Sequence, residues 1–210
     1  MPTQAETGAS FHNTVQAIVT VLAVINPVVC GTIFSAQTAG LRPAIKQWAA
    51  IRVALSILIV LIASALIGLK VLGVFNISLD VFGIVGGMIV AYMGFDMLRG
   101  HQTVGQASPT DDGAPATSLA PLIMFAAGPG TITAVVTLAA VHTPDGLPLT
   151  AIVAAVIGAA VTLGALLLTV GLGSSLGHGA QGIVTRFMGL IVSSMGMQFV
   201  LTGLKAFFNL

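Results

Sequence analysis

The sequence predicts an all-α integral membrane protein of six transmembrane helices, arranged as two three-helix repeats of inverted topology with broken first and fourth helices. Three observations predict it: too little charge to cover a water-soluble surface, a set of long charge-free runs, and a self-match at one constant offset. Of the 210 residues, 56% are hydrophobic and 6% are charged, with a mean hydropathy of +1.06. Soluble domains carry roughly 25% charged residues. Most of the outer surface must therefore meet hydrocarbon, and the lipid bilayer is the first partner expected. A formal net charge of +1 leaves no basic face for nucleic acid. The single cysteine, Cys30, excludes an internal disulfide and a thiolate zinc cluster.

Along the chain, residues 1–11 form a polar tail that lacks the basic segment of a cleaved secretory signal. No Asp, Glu, Lys or Arg lies between Glu6 and Arg42, Arg52 and Lys70, Asp80 and Asp96, Asp112 and Asp145, Asp145 and Arg186, or Arg186 and Lys205. A span needs about 20 predominantly apolar residues. Helices are accordingly expected over 12–38, 47–69, 79–99, 118–141, 149–171 and 184–207. Residues 12–99 make the first repeat and 118–210 the second. Residues 100–117, with Asp111, Asp112 and several Gly, Pro, Ser and Thr, form a flexible inner loop between them. Placing both termini on the periplasmic or exterior side puts Arg42, Lys46, Arg52, Arg99 and Arg186 at inner loops and only Lys70 and Lys205 outside, as basic residues prefer.

A shift of 102 residues aligns the halves. Pro27 then meets Pro129, Leu61 meets Leu163, and Gly87, Met93 and Gly94 meet Gly189, Met195 and Gly196. A repeat with an odd number of spans enters the bilayer in opposite directions in its two copies. Many secondary transporters use that arrangement, with substrate held near the midplane.

The same shift superposes Ile25-Asn26-Pro27 on Ala127-Gly128-Pro129-Gly130, each near the middle of a span. Proline removes a backbone donor and pushes the preceding residue out of helical geometry. In hydrocarbon each freed group needs a partner, so a break must be buried or line a wet cavity. Two readings follow: a pair of half-helices offering amides and carbonyls to a substrate, or simple proline kinks packed among neighbours. Beyond the breaks stand Thr32, Ser35, Gln37, Thr131, Thr133 and Thr137. Such hydroxyls either line a polar pocket or bond back to their own helix. Thr131 and Thr133, beside the second break, are the stronger pocket candidates.

Asp96 is the one acid placed within a span, and the shift pairs it with Gln198. It is a candidate for coupling to a proton or cation, against which stands an i,i+3 pair with Arg99 at the interface. Asp80 marks a helix start. His12, His101, His142 and His178 are scattered, so neither a metal site nor a cofactor is expected. Gly83, Gly87 and Gly94 suit close helix packing better than phosphate binding.

Several segments resemble the MarC family of bacterial and archaeal inner-membrane proteins. They are Asn26-Pro27 with Phe34 and Thr38-Ala39-Gly40; Asn76-Ile77-Ser78-Leu79; Gly86-Gly87; Asp96-Met97-Leu98; Ala127 to Ile132; and Arg186-Phe187-Met188-Gly189-Leu190 through Gly196-Met197-Gln198-Phe199 to Gly203-Leu204. The resemblance runs from Val15 to Phe207. It implies six spans in the inner (plasma) membrane and, from some members, transport of small neutral amino acids such as glycine and alanine, coupled to protons or a cation gradient. The family's first motif usually reads Asn-Pro-x-Gly-x-x-Pro. Here Val29 replaces its glycine and Thr32 its second proline, and Gly83 replaces a basic residue common before Gly86-Gly87. Substrate choice can differ accordingly.

The expected function is therefore a secondary transporter, not an enzyme, binding a small solute at Asn26, Pro27, Gly128, Pro129, Gly130, Thr131 and Thr133. Asp96 and Gln198 are its coupling candidates. The Gly130 and Thr131 amides are expected to take a substrate carboxylate, and the Asn26 side chain or nearby carbonyls its ammonium. A channel or metal-ion exporter using the same breaks, with Cys30 as a soft ligand, and a non-transporting structural membrane protein stay open, as does a homo-oligomer.

Overall fold

The computed structural model describes residues 4–100, 119–141, 147–172 and 178–208. Its described residues form helices and no strands: α1 (Gln4–Ile25), α2 (Pro27–Gln37), α3 (Pro43–Val74), α4 (Leu79–Leu98), α5 (Ala120–Ala126), α6 (Pro129–Val141), α7 (Leu149–Leu172) and α8 (His178–Phe207). Six segments are long and apolar enough to cross a membrane: Thr14–Gln37, Pro43–Val74, Leu79–Leu98, Ala120–Ala140, Leu149–Gly171 and Gly182–Phe207. Apart from Gly100, the expected inner loop, with His101, Asp111 and Asp112, lies outside the described residues, as do His142 and Asp145.

Several boundaries differ from expectation, with α3 running on to Val74 past the expected 69 and α8 starting at His178 ahead of the expected 184; two of the differences have plain reasons. The polar residues expected as a tail are drawn into α1 from Gln4. A helix satisfies its own backbone in water as well as in lipid, and Gln4, Ala5 and Glu6 all favour it. The second span starts four residues early because Pro43 occupies the first turn of α3, where its fixed φ is an advantage. At its far end the chain turns through Asn76 at φ 53°, and the Ile77 amide donates to the Leu72 carbonyl at 2.9 Å. That is a Schellman closure. Ser78 then caps α4 by accepting from the Val81 amide, with Asp80 in the first turn.

The bundle is built inside out relative to a soluble protein. Ile59, Leu168 and Ile183 are 59%, 62% and 72% exposed, which is stable only where the surrounding solvent is hydrocarbon. The buried interior combines Val21 and Ile25 of α1, Phe34 of α2, Val53, Ile57 and Leu61 of α3, and Leu166 of α7. Lipid tails are as apolar as these side chains, so close backbone approach matters more than burial for holding membrane helices together. Glycine supplies it here. Gly31 of α2 packs on Thr169 of α7, Gly68 of α3 on Val136 of α6, and Gly158 of α7 on Ile25 and Val21.

The tightest pairing is α4 with α8. A Cβ added to Gly87 would lie 2.6 Å from the Gly196 carbonyl oxygen, and one added to Gly94 would lie 2.7 Å from that of Gly189. Gly203 stands against Asp80 in the same series. These contacts run in opposite sequence directions, so the two helices are antiparallel. Gly83, expected to serve such packing, has no neighbour that an added Cβ would meet; Gly86 takes that part, lying against Thr133 of α6.

Candidate functional site

The first and fourth spans are each made of two helices, and the junctions fall at the two prolines. At the first, α1 stops at Ile25, Asn26 takes the left-handed conformation (φ 53°, ψ 74°), and Pro27 opens α2. Asparagine is among the few residues that tolerate this backbone. Its own amide still donates to the Leu22 carbonyl at 2.9 Å and its carbonyl accepts from Cys30 at 3.0 Å. The side-chain Oδ1 accepts from the Val29 amide at 3.3 Å, capping the new helix. The Cys30 thiol donates to the Ile25 carbonyl at 3.2 Å. Nearly every group loosened by Pro27 thus finds a local partner.

One group does not. Asn26 is 1% exposed, and its Nδ2 has no hydrogen-bond partner. Because Oδ1 is committed to Val29, the free end of this amide is a donor.

The second junction is built differently. α5 ends at Ala126, Ala127 and Gly128 link it to Pro129, and α6 begins there. The backbone bonds bridging the link are Ala127 to the Ile123 carbonyl at 2.8 Å and Ile132 to the Gly128 carbonyl at 3.0 Å. Gly130 and Thr131 occupy the second and third positions of α6, where a helix leaves its amides unpaired. No side chain caps them, for Gly128 stands where Asn26 stands in the first half. An added Cβ at Gly128 would lie 2.5 Å from the Met124 carbonyl oxygen, leaving no room for an asparagine.

The fold brings the two junctions together. A Cβ placed on Gly130 would lie 3.7 Å from Val24, two residues before Asn26, and 2.5 Å from Val90 of α4. Thr131 and Thr133 are 1% and 2% exposed, and the Thr133 hydroxyl donates back to the Pro129 carbonyl at 2.9 Å. Thr32 likewise donates to Val29. Thr137 Oγ1 and Gln37 Oε1 are buried without partners.

A cavity of about 370 Å³ flanks the second junction, where Gly128, Pro129 and Thr133 face Phe82, Gly86 and Ile89 of α4. Asn26, Pro27, Gly130 and Thr131 do not line it. Their side of the junction is filled by Val24, Val90, Ala134 and Val192. Val24 and Val90 were invisible as site residues because nothing distinguishes them from other core valines; Gly86 carried a weak signal through the Gly86-Gly87 pair.

The coupling candidates lie elsewhere. Asp96 is half-buried near the end of α4 and has a polar partner. Gln198 is exposed on α8 and donates from Nε2 to Thr202 at 3.3 Å. Neither lines the cavity beside the second junction. Among the described residues no three His, Cys, Asp or Glu side chains gather as a metal site.

Comparison with known proteins places this architecture. The family model described as "MarC family integral membrane protein" matches residues 11–208. A UPF0056 membrane protein of Pyrococcus horikoshii is 31% identical over 189 residues, covering 90% of this chain and 92% of its own. The UPF0056 membrane protein YhcE of Escherichia coli is 26% identical, with 89% of each chain covered. The UPF0056 inner membrane protein MarC of Salmonella typhimurium is 27% identical, covering 89% of this chain and 91% of its own. No solved structure gives a significant match.

Proposed function

The chain belongs to the MarC family of integral membrane proteins, and from that premise we propose that it is a secondary transporter of small neutral amino acids, of the glycine and alanine type, in the inner membrane. One observation carries the reading. Two helix junctions meet at Val24 and Gly130, where the buried Asn26 Nδ2 has no hydrogen-bond partner, and Gly130 and Thr131 stand in the first turn of α6, where helix amides have no intrahelical acceptor. Buried donors in hydrocarbon are costly unless something accepts from them. A carboxylate at the start of a half-helix is the natural acceptor.

The ammonium then falls to carbonyls. Proline at position i deprives the carbonyl at i−4 of its helical donor, which frees Ala23 ahead of Pro27 and Phe125 ahead of Pro129. Asn26 serves the carboxylate instead of the ammonium, because its acceptor end is already occupied. The packed valines leave space for a small substrate only, and they must part for it to enter.

Inverted repetition fits the same scheme. The antiparallel α4–α8 contact pairs Gly87 with Gly196 and Gly94 with Gly189, and a shift of 102 exchanges these two pairs with each other. Contacts related in this way support a pseudo-twofold axis between the halves. Alternating access by rocking one half against the other follows, with both termini on the exterior side and Asp96 the candidate for coupling to a proton or cation.

Counterflow in vesicles reconstituted with the purified chain tests the reading. Radiolabelled glycine or alanine should exchange against unlabelled glycine, and glycinamide, which lacks the carboxylate, should not compete. Absence of amino acid exchange from correctly folded protein, or equal competition by glycinamide, would overturn it.

A further inference from the structure

A second cavity, of about 460 Å³, lies away from the junctions, at the end of the bundle where α2 closes, α3 begins and Leu119 leads into α5. Leu41, Ile45, Ala49 and Leu119 make much of its wall apolar, and one charge, Arg52, joins Trp48 in lining it. Among the described residues no acid lines the cavity. Arg52 has no side-chain partner among the described residues. An arginine cannot shed its charge, so its guanidinium needs an anion or water.

Depth narrows the choice. α3 has 32 residues, about 48 Å at 1.5 Å per residue, against a hydrocarbon core of about 30 Å. With the helix centred, each end overshoots by about 9 Å, while Arg52 sits about 14 Å from Pro43 along the axis. Its Cα is therefore just within the hydrocarbon boundary, and its side chain reaches back toward the headgroups. Trp48, one turn nearer the helix start and 67% exposed, occupies the level where indoles anchor at the interface.

We infer that this cavity binds the phosphodiester of an anionic phospholipid. Arg52 pairs with the phosphate oxygens, Trp48 covers the headgroup, and Leu41, Ile45 and Leu119 take the apolar start of the lipid. A guanidinium fork matches two phosphate oxygens. Free inorganic phosphate shares that chemistry but gains nothing from the apolar wall. This site is independent of the proposed amino acid site.

The test is thermal unfolding of the full chain in a neutral detergent, titrated with phosphatidylglycerol, phosphatidylcholine or inorganic phosphate. Phosphatidylglycerol should stabilise saturably; phosphatidylcholine and inorganic phosphate should not. Arg52→Gln should raise the half-saturating phosphatidylglycerol concentration about tenfold, as expected for a lost charge-assisted pair. Ala44→Phe, which fills the cavity from an exposed position and keeps the charge, should do likewise, so the test survives if Arg52→Gln fails to fold. Arg42→Gln, on an exposed residue that does not line the cavity, should leave the titration unchanged. Equal responses to phosphatidylglycerol and phosphatidylcholine, an equal effect of Arg42→Gln and Arg52→Gln, or an unaltered titration in Ala44→Phe would overturn the site. Saturable stabilisation by inorganic phosphate alone would assign the cavity to a free anion and overturn the lipid.

Discussion

The two junctions occupy the same place in their halves and carry the same proline, yet they settle their loose backbone groups in opposite ways. The first closes on itself. Asn26 turns the chain, caps α2 with Oδ1, and leaves one buried side-chain donor, while the Cys30 thiol donates to the Ile25 carbonyl. At the second, Gly128 has no side chain to give and no space for one, so the first amides of α6 receive no cap from that position. A shared break fixes where a site can be; the residue before the proline decides what it offers. In the first half that is a side-chain amide, and in the second it is bare helix.

The largest expected effect breaks the open junction. Gly130→Val would push side-chain carbons into the space between Val90 and Val24, where an added Cβ alone already lies 2.5 Å from Val90. Overpacking of this kind costs about 1–3 kcal/mol of folding stability, and side-chain carbons placed between Val90 and Val24 occupy the space proposed for the substrate, so glycine affinity should fall about tenfold or more. The repeat-equivalent change, Val28→Ala, alters a position that is 42% exposed and should leave affinity unchanged. Isothermal titration of both variants with glycine compares the halves directly. Equal losses in the two would show that the junctions are not specialised.

A smaller change sharpens the comparison by making the first junction resemble the second. Asn26→Gly keeps a residue that accepts φ 53° and removes both the cap and the free Nδ2. Replacing a cap by glycine costs only a few tenths of a kcal/mol, whereas losing a hydrogen bond to a charged ligand costs about 1.5–3 kcal/mol. Stability should be nearly kept and glycine affinity should drop about tenfold or more. Asn26→Ala adds the cost of holding a Cβ in the left-handed region, about 1–2 kcal/mol, and should lower the melting temperature further at the same affinity. If Asn26→Gly binds glycine as the parent does, Asn26 serves the backbone alone.

Much of this was legible in the sequence because it rests on strong local rules. Six charge-free runs mark the spans, and a proline in mid-span removes a helical hydrogen bond in any surroundings. The Gly87 and Gly94 register shows through because a buried backbone contact tolerates no other residue. What was not legible depends on which atom is already in use. Asn26 is ambivalent as a sequence letter, able to donate or accept, and only the Val29 contact turns its donor outward. Val24 and Val90 enter the site through the fold, with no chemical mark of their own. Gln198, aligned with Asp96 by the repeat, faces outward because α8 rests mainly on α4 and leaves its other side uncovered.

Cys30 gives the smallest effect and separates two explanations of the closed junction. If its thiol serves only to satisfy the Ile25 carbonyl, the quantity lost in Cys30→Ala is one weak hydrogen bond, about 0.5–1.5 kcal/mol. Cys30→Ser keeps a donor at the same place and should recover part of it. Glycine exchange should be nearly equal in all three proteins, because no substrate group is assigned to this sulfur. If the sulfur instead binds a transported soft metal ion, both substitutions abolish flux and the serine rescues nothing, since a hydroxyl is a poor replacement for a thiolate. Denaturation midpoints ordered parent, serine, alanine, with unchanged exchange, therefore assign Cys30 to the backbone it touches. Lost flux with unchanged midpoints would move it into the transport path and make the first junction an open site after all.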